Sequence, residues 1–252
     1  MVAVNGSFQS ELYGMEVLMN EEIRFRSFRL EDLLDLRMNS LDKYLCPSVV
    51  LAVGSMMGKN SQKMINLASI LQYVFLAHYI QAQVTENNPT EHIRQYPVLV
   101  GDFMFGQIYL KLCKPDLFPY SGQFVKLIKT INEGIILRWK LKNKNIPLKD
   151  YRMVIGKEKA SLTAVAAKTA AEFSGFQEQH LKKLEEFGYN LGMAWAAWEE
   201  SVYTALVQEY LIKAKIIIAE LKDQLYTKPL QELYEFFYQE ININTSAITI
   251  GI

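Results

Sequence analysis

The sequence predicts a single all-α domain, a helical bundle, over residues 1–252. Apolar residues recur at spacings of three and four along nearly the whole chain, which is the helical period. In the segment FGYNLGMAWAAWEESVY, residues 187–203, Gly188, Gly192 and Ala196 recur every four residues. One side of this helix is therefore smooth enough for a neighbouring backbone to approach closely, and we expect the helix to be central. With 50% hydrophobic residues and neither a repeat nor a linker, the chain can build one large core.

Proline, glycine and capping residues divide the chain into elements. Proline is tolerated in the first turn of a helix, so one helix is expected to begin near Pro47, and Ser61 can cap the next. The tail INTSAITIGI, residues 243–252, is more typical of a strand, and we expect it to be frayed. The predicted helices cover residues 11–37 (one or two helices), 47–57, 64–84, 91–112, 122–141, 148–175, 177–210, and 211–239 as a pair interrupted at Pro229.

Charge and cysteine usage limit the function classes. Lys+Arg and Asp+Glu are 27 each and the formal net charge is +0, so no overall field favours nucleic acid or an anionic membrane as a partner. Cys46 and Cys113 lie far apart in the sequence and do not form a disulfide framework or a metal-ligand cluster. The N-terminal residues have neither the basic start nor the apolar run of a signal peptide. These features favour a cytoplasmic protein.

The stretch Met64 to Thr85 contains no Lys, Arg, Asp or Glu and is long enough to span a bilayer. It nevertheless carries polar side chains throughout, among them Gln72, His78 and Gln81. Polar groups of this number are costly in hydrocarbon, so a buried central helix is favoured over a membrane span.

Six segments occur in a consistent order, namely LDKYLCP, VFLAHYIQAQ, NPT followed by VLVGDFMF, NEGIILR, KEKASLTAVAA and YNLGMAWAAWEESVY. Their order and spacing resemble the polyprenyl synthetase family, which has GGKRxRP, the first DDxxD after SLIH, RRGxPT with AxLAGDYLF, EGExxQ, a KTAxLFAAA helix and RNLGLAFQIxDDxLD. Members of this family are all-helical trans-prenyl diphosphate synthases that condense isopentenyl diphosphate with an allylic diphosphate. The resemblance covers almost the whole chain and implies a bundle of the isoprenoid synthase type.

The two acidic motifs of the family are changed in this chain. In the family each DDxxD places carboxylates one helical turn apart, and together the motifs hold magnesium ions that bridge the allylic diphosphate. The first motif corresponds to residues without a carboxylate, Tyr79, Ile80 and Gln83. The second corresponds to Glu199 and Glu200, with Tyr203 one turn further on, so the two glutamates are the candidate metal ligands. The resemblance implies no cofactor, with magnesium only if the chain is a divergent enzyme.

The cationic side of the family's site is reduced as well. Of the three cations in GGKRxRP only Lys43 remains, and Thr85 and Glu86 replace the arginine pair before the Pro-Thr. Glu158 takes the register position of the lysine in KTAxLFAAA, and either neighbouring lysine is able to replace it. The resemblance therefore leaves four candidate substrate-binding residues, Lys43, Asp102, Lys157 and Lys159.

Two further residues have a structural interpretation. His78 lies on an apolar helix without ligand partners around it, so we interpret it as a core histidine. Lys168 begins the sequence KTA, but it lies about three helical turns too close to Glu199 to be the family motif in register.

Two regional features complete the prediction. Cations are concentrated in the middle of the chain, where a solvated loop is favoured over an anion contact, at Arg138, Lys140, Lys142, Lys144, Lys149, Arg152, Lys157 and Lys159. After Glu200 the chain resembles a shortened family member, because the next family segment is missing and LVQEYLIKAKIIIAELKDQ follows almost at once. Such a shortening near the C-terminus removes part of the wall of the family's active site.

The resemblance and the lost residues together predict a non-catalytic subunit of a heteromeric prenyl diphosphate synthase. Family members commonly dimerise through helices equivalent to residues 98–112 and 124–141, and these keep apolar residues at Phe103, Phe105, Tyr109, Phe124, Ile128 and Ile135. The partner is expected to be a catalytic synthase subunit or a second copy of this chain. Two alternatives stay open, a divergent active prenyltransferase and a protein that binds an apolar prenyl-type ligand near Tyr73, Phe75 and Tyr79.

Overall fold

A computed structural model describes residues 7–23, 38–58, 62–82, 91–142 and 145–249, without the side chains of residues 91–94, 96 and 243–249. All regular structure in these ranges is helical. The helices are α1 (Gln9–Glu22), α2 (Ser40–Ser55), α3 (Gln62–Gln81), α4 (Glu91–Leu112), α5 (Ser121–Leu141), α6 (Leu148–Ile155), α7 (Ser161–Ser174), α8 (Glu178–Glu200), α9 (Ala205–Lys222) and α10 (Lys228–Thr249), with a 3₁₀ turn at Phe118–Tyr120 and a π-helical segment at Gly156–Ala160.

The predicted bounds of α4 are confirmed and those of α5 differ by one residue. The start predicted for α2 is wrong, because the helix begins at Ser40 and carries Pro47 in its interior. Asn39 and Asp42 form a capping box there, in which each side chain accepts a hydrogen bond from the backbone N–H of the other residue, at 2.9 and 3.2 Å. This cap fixes the start two turns before the proline. The predictions for residues 24–37, Ser61 and 83–90 lie outside the described residues.

The single helix predicted for residues 177–210 is also wrong. Helix α8 ends at Glu200 because Ser201 adopts a left-handed conformation with φ 53°, and α9 begins only at Ala205. Tyr203 therefore does not lie one helical turn beyond Glu199. Its hydroxyl donates to the Ile146 carbonyl at 2.9 Å, and its ring packs against that of Tyr151 at 4.9 Å between centroids.

The strand-like tail is a further wrong prediction. Helix α10 continues to Thr249, and residues 250–252 lie outside the described part of the chain. Its buried residues Leu230, Leu233, Phe237 and Ile241 recur at spacings of three and four, and the helix packs against α2. Helical packing that begins at Leu230 thus overrides the β-branched composition of the tail.

The predicted central helix is confirmed. Helix α8 lies between α7 and α9, and its Trp195 is completely buried. The smooth side faces α7, because a Cβ on Gly188 would come within 2.3 Å of the Thr163 carbonyl and one on Gly192 within 2.6 Å of the Ala160 Cα. Only glycine permits this backbone approach. The last turn of this helix carries the two candidate metal ligands, Glu199 and Glu200.

The uncharged helix α3 is buried in the bundle as predicted, with Leu67, Ile70, Tyr73 and Val74 all at 0% exposure. It packs against α2 on one side and α4 on another. Within the described residues, no helix is both long enough and apolar enough to cross a membrane.

Candidate functional site

Glu199 and Glu200 occupy the last turn of α8, and each is paired with a cation of the same chain. Glu199 contacts the ammonium group of Lys159. Glu200 accepts two hydrogen bonds from the guanidinium of Arg138, at 2.6 Å to Oε1 and 3.1 Å to Oε2. The two glutamates are 31% and 23% exposed, so both pairs are partly shielded from water. The negative charges of the two glutamates are therefore neutralised by cations of the same chain.

Arg138 joins three segments of the fold. Besides Glu200, its guanidinium binds Glu158 through Nε, at 2.9 Å to each carboxylate oxygen, and through Nη2 at 2.7 Å. Burial opposes the charge on Arg138, but its hydrogen bonds and ion pairs with Glu158 and Glu200 outweigh this and raise its pKa further above the ordinary arginine value. One cation therefore holds the end of α5, the π-helical segment and the end of α8 together.

Lys159 provides the second internal cation. Its side chain is 19% exposed, and its buried Nζ lies 4.1 Å from the centre of the Trp195 ring and 5.9 Å from that of Phe75. An ammonium group over an aromatic face is attracted by the quadrupole of the ring. Burial lowers the pKa of Lys159 to about 8, although the charges of Asp42 and Glu200 act in the opposite direction.

Asp42 is a buried acid whose charge acts on Lys159. The residue is 2% exposed, and burial raises the pKa of its carboxyl group while Lys159 and the cap at Asn39 lower it. Oδ2 accepts the hydrogen bond of the cap, whereas Oδ1 is buried without a hydrogen-bond partner. The charges of Asp42 and Lys159 influence each other, since each stabilises the charged form of the other.

The π-helical segment decides which lysine enters the cluster. A Cβ on Gly134 of α5 would lie 2.8 Å from the Cβ of Lys157, so the two segments approach closely at this point. Lys157 lies on the outer side, where its Nζ donates to Glu133 at 2.6 Å. Lys159, two residues further on, lies on the inner side. A π turn adds a residue to the helical turn and so rotates the side chains that come after it.

The other candidate residues lie elsewhere. Asp102 is exposed on α4 and accepts a 3.3 Å hydrogen bond from Gln81, and Lys43 is half-buried in the first turn of α2. Of the six candidates, the structure thus brings together Lys159, Glu199 and Glu200. Lys168 pairs with Glu185 at 3.0 Å, which agrees with its exclusion from the site.

The basic middle of the chain is largely neutralised by ion pairs. Arg138, Lys157 and Lys159 are paired with glutamates, and Arg152 binds Glu209 at 2.6 Å. Lys140, Lys142 and Lys149 remain exposed, and Lys144 lies outside the described residues. The prediction of a solvated basic loop therefore applies to part of this stretch only.

Aromatic rings occupy the region of the first acidic motif. The Phe75 ring lies 5.5 Å from that of Tyr79 and 5.2 Å from that of Trp195. Ile80 is completely buried, and Gln83 lies outside the described residues. Nδ1 of His78 donates a 2.8 Å hydrogen bond to the Val74 carbonyl and therefore carries the proton, because a carbonyl only accepts. Burial lowers the pKa of His78, which agrees with a core histidine.

Arg138 and Asp42 were missed as site residues in the sequence, although each carries a signal. Arg138 continues the spacing of Leu127, Ile131 and Gly134, which form the buried face of α5. A cation on a buried face requires a nearby carboxylate. Asp42 similarly precedes the buried Leu45 and Cys46 by three and four residues.

No protein-family model matches the chain, and no curated protein is significantly similar to it. Solved structures do match. A decaprenyl diphosphate synthase from Rhodobacter capsulatus superposes with a TM-score of 0.72 at 17% identity, over 93% of this chain and 96% of that chain. A polyprenyl synthase from Caulobacter crescentus CB15, complexed with calcium and isoprenyl diphosphate, gives 0.76 at 15% identity, over 93% and 94%. A deletion mutant of a mint heterotetrameric geranyl pyrophosphate synthase superposes with a TM-score of 0.65 at 14% identity, over 90% of this chain and 97% of that chain.

These similarities define the class of fold. The chain has the all-α isoprenoid synthase fold, which polyprenyl and isoprenyl diphosphate synthases share. The fold implied by the six sequence segments is thereby confirmed. The shortening after Glu200 stays a prediction.

The carboxylates do not fit the metal that this fold class implies. A hard divalent cation requires several oxygen ligands that are free to turn toward it. Here Glu199 is held by Lys159, and both oxygens of Glu200 are held by Arg138. Among the described residues, no group of three or more His, Cys, Asp or Glu side chains is arranged to hold a metal ion.

Proposed function

We propose that this chain is a non-catalytic subunit of a heteromeric prenyl diphosphate synthase in isoprenoid biosynthesis. The observation that carries the proposal is the pairing of Glu199 with Lys159 and of Glu200 with Arg138. These are the acidic residues that the second motif retains, and both are already neutralised by cations of the same chain. A single domain over residues 1–252 and a cytoplasmic location belong to the proposal.

The chemistry of prenyl transfer explains why this pairing matters. Departure of a diphosphate requires cations that stabilise the negative charge as it develops in the transition state. In this chain the cations nearest to the second motif are already engaged with Glu158, Glu199 and Glu200. The segment of the first motif offers Tyr79 and Ile80 instead of carboxylates. The site therefore supplies little of the required stabilisation.

A partner subunit would provide the missing chemistry. The mint synthase is heterotetrameric, which supports a heteromer for a chain of the same fold. The outer faces of α4 and α5 expose large apolar side chains, including Leu99, Leu110 and Trp139. Apolar surface of this kind is typical of a protein interface. In the proposed assembly the partner binds magnesium and both substrates.

A prenyl-transfer assay tests the proposal. The chain is incubated with isopentenyl diphosphate, farnesyl diphosphate and magnesium, alone and with a co-expressed synthase. We expect no turnover by the chain alone, and activity or a changed product length with the partner that differs from that of the partner alone. Turnover by the chain alone that is lost in Glu199→Gln and retained in the control Glu133→Gln would instead identify a divergent prenyltransferase.

A ligand experiment addresses the remaining alternative. Tyr73 and Phe75 are at most 6% exposed, and the Phe75 ring contacts its aromatic neighbours, so the region is already filled by side chains. We therefore expect isothermal titration with farnesol, in the absence of magnesium, to detect no tight binding. Stoichiometric submicromolar binding that is weakened by Phe75→Trp would favour an apolar-ligand protein.

A further inference from the structure

The end of α5 and the start of α6 form an exposed corner of the bundle that carries cations and apolar side chains together. Trp139 in the last turn of α5 is 71% exposed, and Leu148 in the first turn of α6 is 41% exposed. Lys140, Lys142 and Lys149 are exposed beside them. We call these five residues the basic corner.

The turn between α8 and α9 lies next to the basic corner. Tyr203 of this turn donates a 2.9 Å hydrogen bond to the carbonyl of Ile146, and its ring lies 4.9 Å from that of Tyr151 on α6. The neighbouring residue Val202 is 61% exposed. Two connections of the fold therefore present exposed apolar side chains at the same end of the bundle.

The basic corner has a local excess of positive charge. The acids at the end of α8, Glu199 and Glu200, are neutralised by Lys159 and Arg138, so they add little negative charge to its surroundings. Between residues 139 and 150 the sequence contains one acid, Asp150. Three lysines beside one aspartate leave a local charge of +2, although the whole chain is neutral.

The basic corner differs from the apolar surface that a protein partner would cover. Lysine is depleted at protein interfaces relative to the rest of a protein surface. The exposed Ile135 and Ile136 suit such an interface, whereas Trp139 is followed directly by Lys140. Of the interface residues expected from the sequence, Phe124 is wrong, because it is completely buried in the core. The last turn of α5 therefore requires a different explanation from the rest of its outer face.

The combination of residues in the basic corner fits the boundary between water and an anionic lipid bilayer. Tryptophan is enriched at this boundary, because its ring is apolar with one polar edge. Lysine is attracted to anionic headgroups, while its aliphatic stem covers apolar surface. Nucleic acid would also attract the lysines, but its phosphates would leave the exposed Leu148 and Val202 without a role. The apolar side chains therefore favour lipid over nucleic acid.

We propose that the basic corner docks on an anionic lipid surface, with Trp139 and Leu148 at the level of the headgroups and the three lysines on the lipid phosphates. Binding of this kind combines buried apolar area with electrostatic attraction and requires no membrane-spanning helix. The ends of α5 and α8, where Arg138 binds Glu200, then face the lipid. This docking does not rest on the proposed function.

Co-sedimentation of the full chain with lipid vesicles tests the docking. Vesicles are made of phosphatidylcholine alone or of phosphatidylcholine and phosphatidylserine in equal parts. We expect binding to the mixed vesicles only, and we expect salt to weaken it, because salt screens exposed charges. No binding to the mixed vesicles at low salt, or equal binding to both kinds of vesicle, would overturn the proposal.

Two triple variants with the same change in net charge test the location of the contact. A lysine near an anionic surface contributes about fivefold to binding, so replacing all three lysines of the basic corner by glutamine should weaken it about 100-fold. The control replaces three lysines that are exposed elsewhere, on α5 and α9, namely Lys126→Gln, Lys215→Gln and Lys222→Gln. Equal weakening by the two variants would show that no particular surface is used and would overturn the proposal.

Tryptophan fluorescence tests the position of Trp139 at the headgroups. Trp195 is completely buried and Trp198 is half-buried, so a change in emission on binding reports mainly on Trp139. We expect a shift to shorter wavelength with the mixed vesicles, and no such shift in Trp139→Phe. Trp139→Ser should weaken binding at least tenfold, whereas Tyr226→Ser, which changes an aromatic residue exposed at 57% between α9 and α10, should not. Bound chain with unchanged emission would overturn the proposal.

A competition experiment separates lipid from free phosphate. Inorganic diphosphate, added at constant ionic strength, should leave the binding to mixed vesicles unchanged. Displacement of the chain at micromolar diphosphate would identify the lysines as a site for a soluble anion and would overturn the proposal. Failure of vesicle binding would leave the outcome of the prenyl-transfer assay unaffected, because that assay contains no lipid.

Discussion

The inner and outer faces of α5 differ in a way that is unusual for a helix at the surface of a protein. The inner face directs Arg138 toward two carboxylates, whereas the outer face exposes Val125, Ile136 and Trp139. A surface helix normally turns its apolar side inward and its charges to solvent. The inner face therefore carries a polar cluster whose charges satisfy one another, whereas the outer face presents apolar side chains of the kind that protein partners cover.

The fold tolerates partly buried charges on the inner face of α5 because these charges are paired. A partly buried carboxylate without a counter-ion is strongly destabilising, whereas a well-bonded pair is close to neutral relative to apolar residues. Arg138 makes hydrogen bonds to both Glu158 and Glu200 and thereby removes most of that penalty. The internal cations therefore preserve the fold, and this role requires no ligand.

The largest expected effect is that of Arg138→Met, which leaves Glu158 and Glu200 facing each other. Removing one partner of a buried pair costs about 3–5 kcal/mol, and with carboxylates 15% and 23% exposed we expect about 2–3 kcal/mol. Arg152→Met is the matched control, since its arginine is equally exposed at 37% but pairs with the single, more exposed Glu209. That variant should lose at most about 1 kcal/mol. Urea unfolding measures the free energy of unfolding of both variants. Equal losses of stability in Arg138→Met and Arg152→Met would contradict a special role of the inner face.

Lys159 should make stability depend on alkaline pH. Burial lowers its pKa from 10.5 to about 8 in the folded protein. Below pH 8 it is protonated in both states, whereas between pH 8 and 10.5 the unfolded chain binds more protons. Through this group, stability therefore rises with pH in that window, by at most about 1.4 kcal/mol per pH unit.

The measurement is the difference in unfolding free energy between the unmodified chain and Lys159→Met. This difference should be independent of pH below pH 8 and rise above it. The tyrosines and the other lysines titrate in both proteins, so their contributions to the difference largely cancel. The corresponding difference for Lys157→Met, whose lysine pairs with Glu133 on the outer side, should change less. A difference that stays flat up to about pH 10 and falls above the ordinary lysine pKa of 10.5 would show that the carboxylates hold Lys159 more strongly than burial opposes its charge.

Gly134→Ala tests how closely the inner face of α5 is packed. Its Cβ would lie 2.8 Å from the Cβ of Lys157 and 3.1 Å from the Glu158 amide nitrogen, so the two segments must separate. Overpacking costs about 1–3 kcal/mol, which the higher helix propensity of alanine reduces to about 1 kcal/mol net. Thermal unfolding measures the change. A gain in stability would mean that the π-helical segment moves away without penalty.

Much of the fold could be predicted from the sequence because it depends on local patterns. The spacing of apolar residues located α4 and α5, and Gly188 and Gly192 identified the central helix. The end of α8 was missed because residues 201–210 continue a helical pattern, and only the left-handed conformation of Ser201 interrupts it. Such a conformation depends on tertiary contacts, here the packing of α9 on α8, rather than on the local sequence.

The site was predictable in part only. Glu199 and Glu200 were recognised because the resemblance aligned them with the second acidic motif, and Lys159 because it flanks the position of a family lysine. The pairing of Arg138 with Glu200 spans 62 residues of sequence and leaves no local pattern. The sequence also left Lys157 and Lys159 equivalent, because no local pattern indicates the π-helical segment that contains both of them and packs against Gly134.

The smallest expected effect is that of Gly106→Ala, which changes the outer face and leaves the inner face untouched. Gly106 lies within α4 with open space around it, so Gly106→Ala should stabilise an isolated chain by about 0.5 kcal/mol. If the outer face binds a partner subunit, the added methyl group obstructs the close approach of that partner. The affinity for the partner then falls, while the stability of the isolated chain rises. We expect these opposite changes in thermal unfolding of the dilute chain and in sedimentation equilibrium. Stabilisation without weaker association would place the contact on α5 alone and leave Gly106 without a role in it.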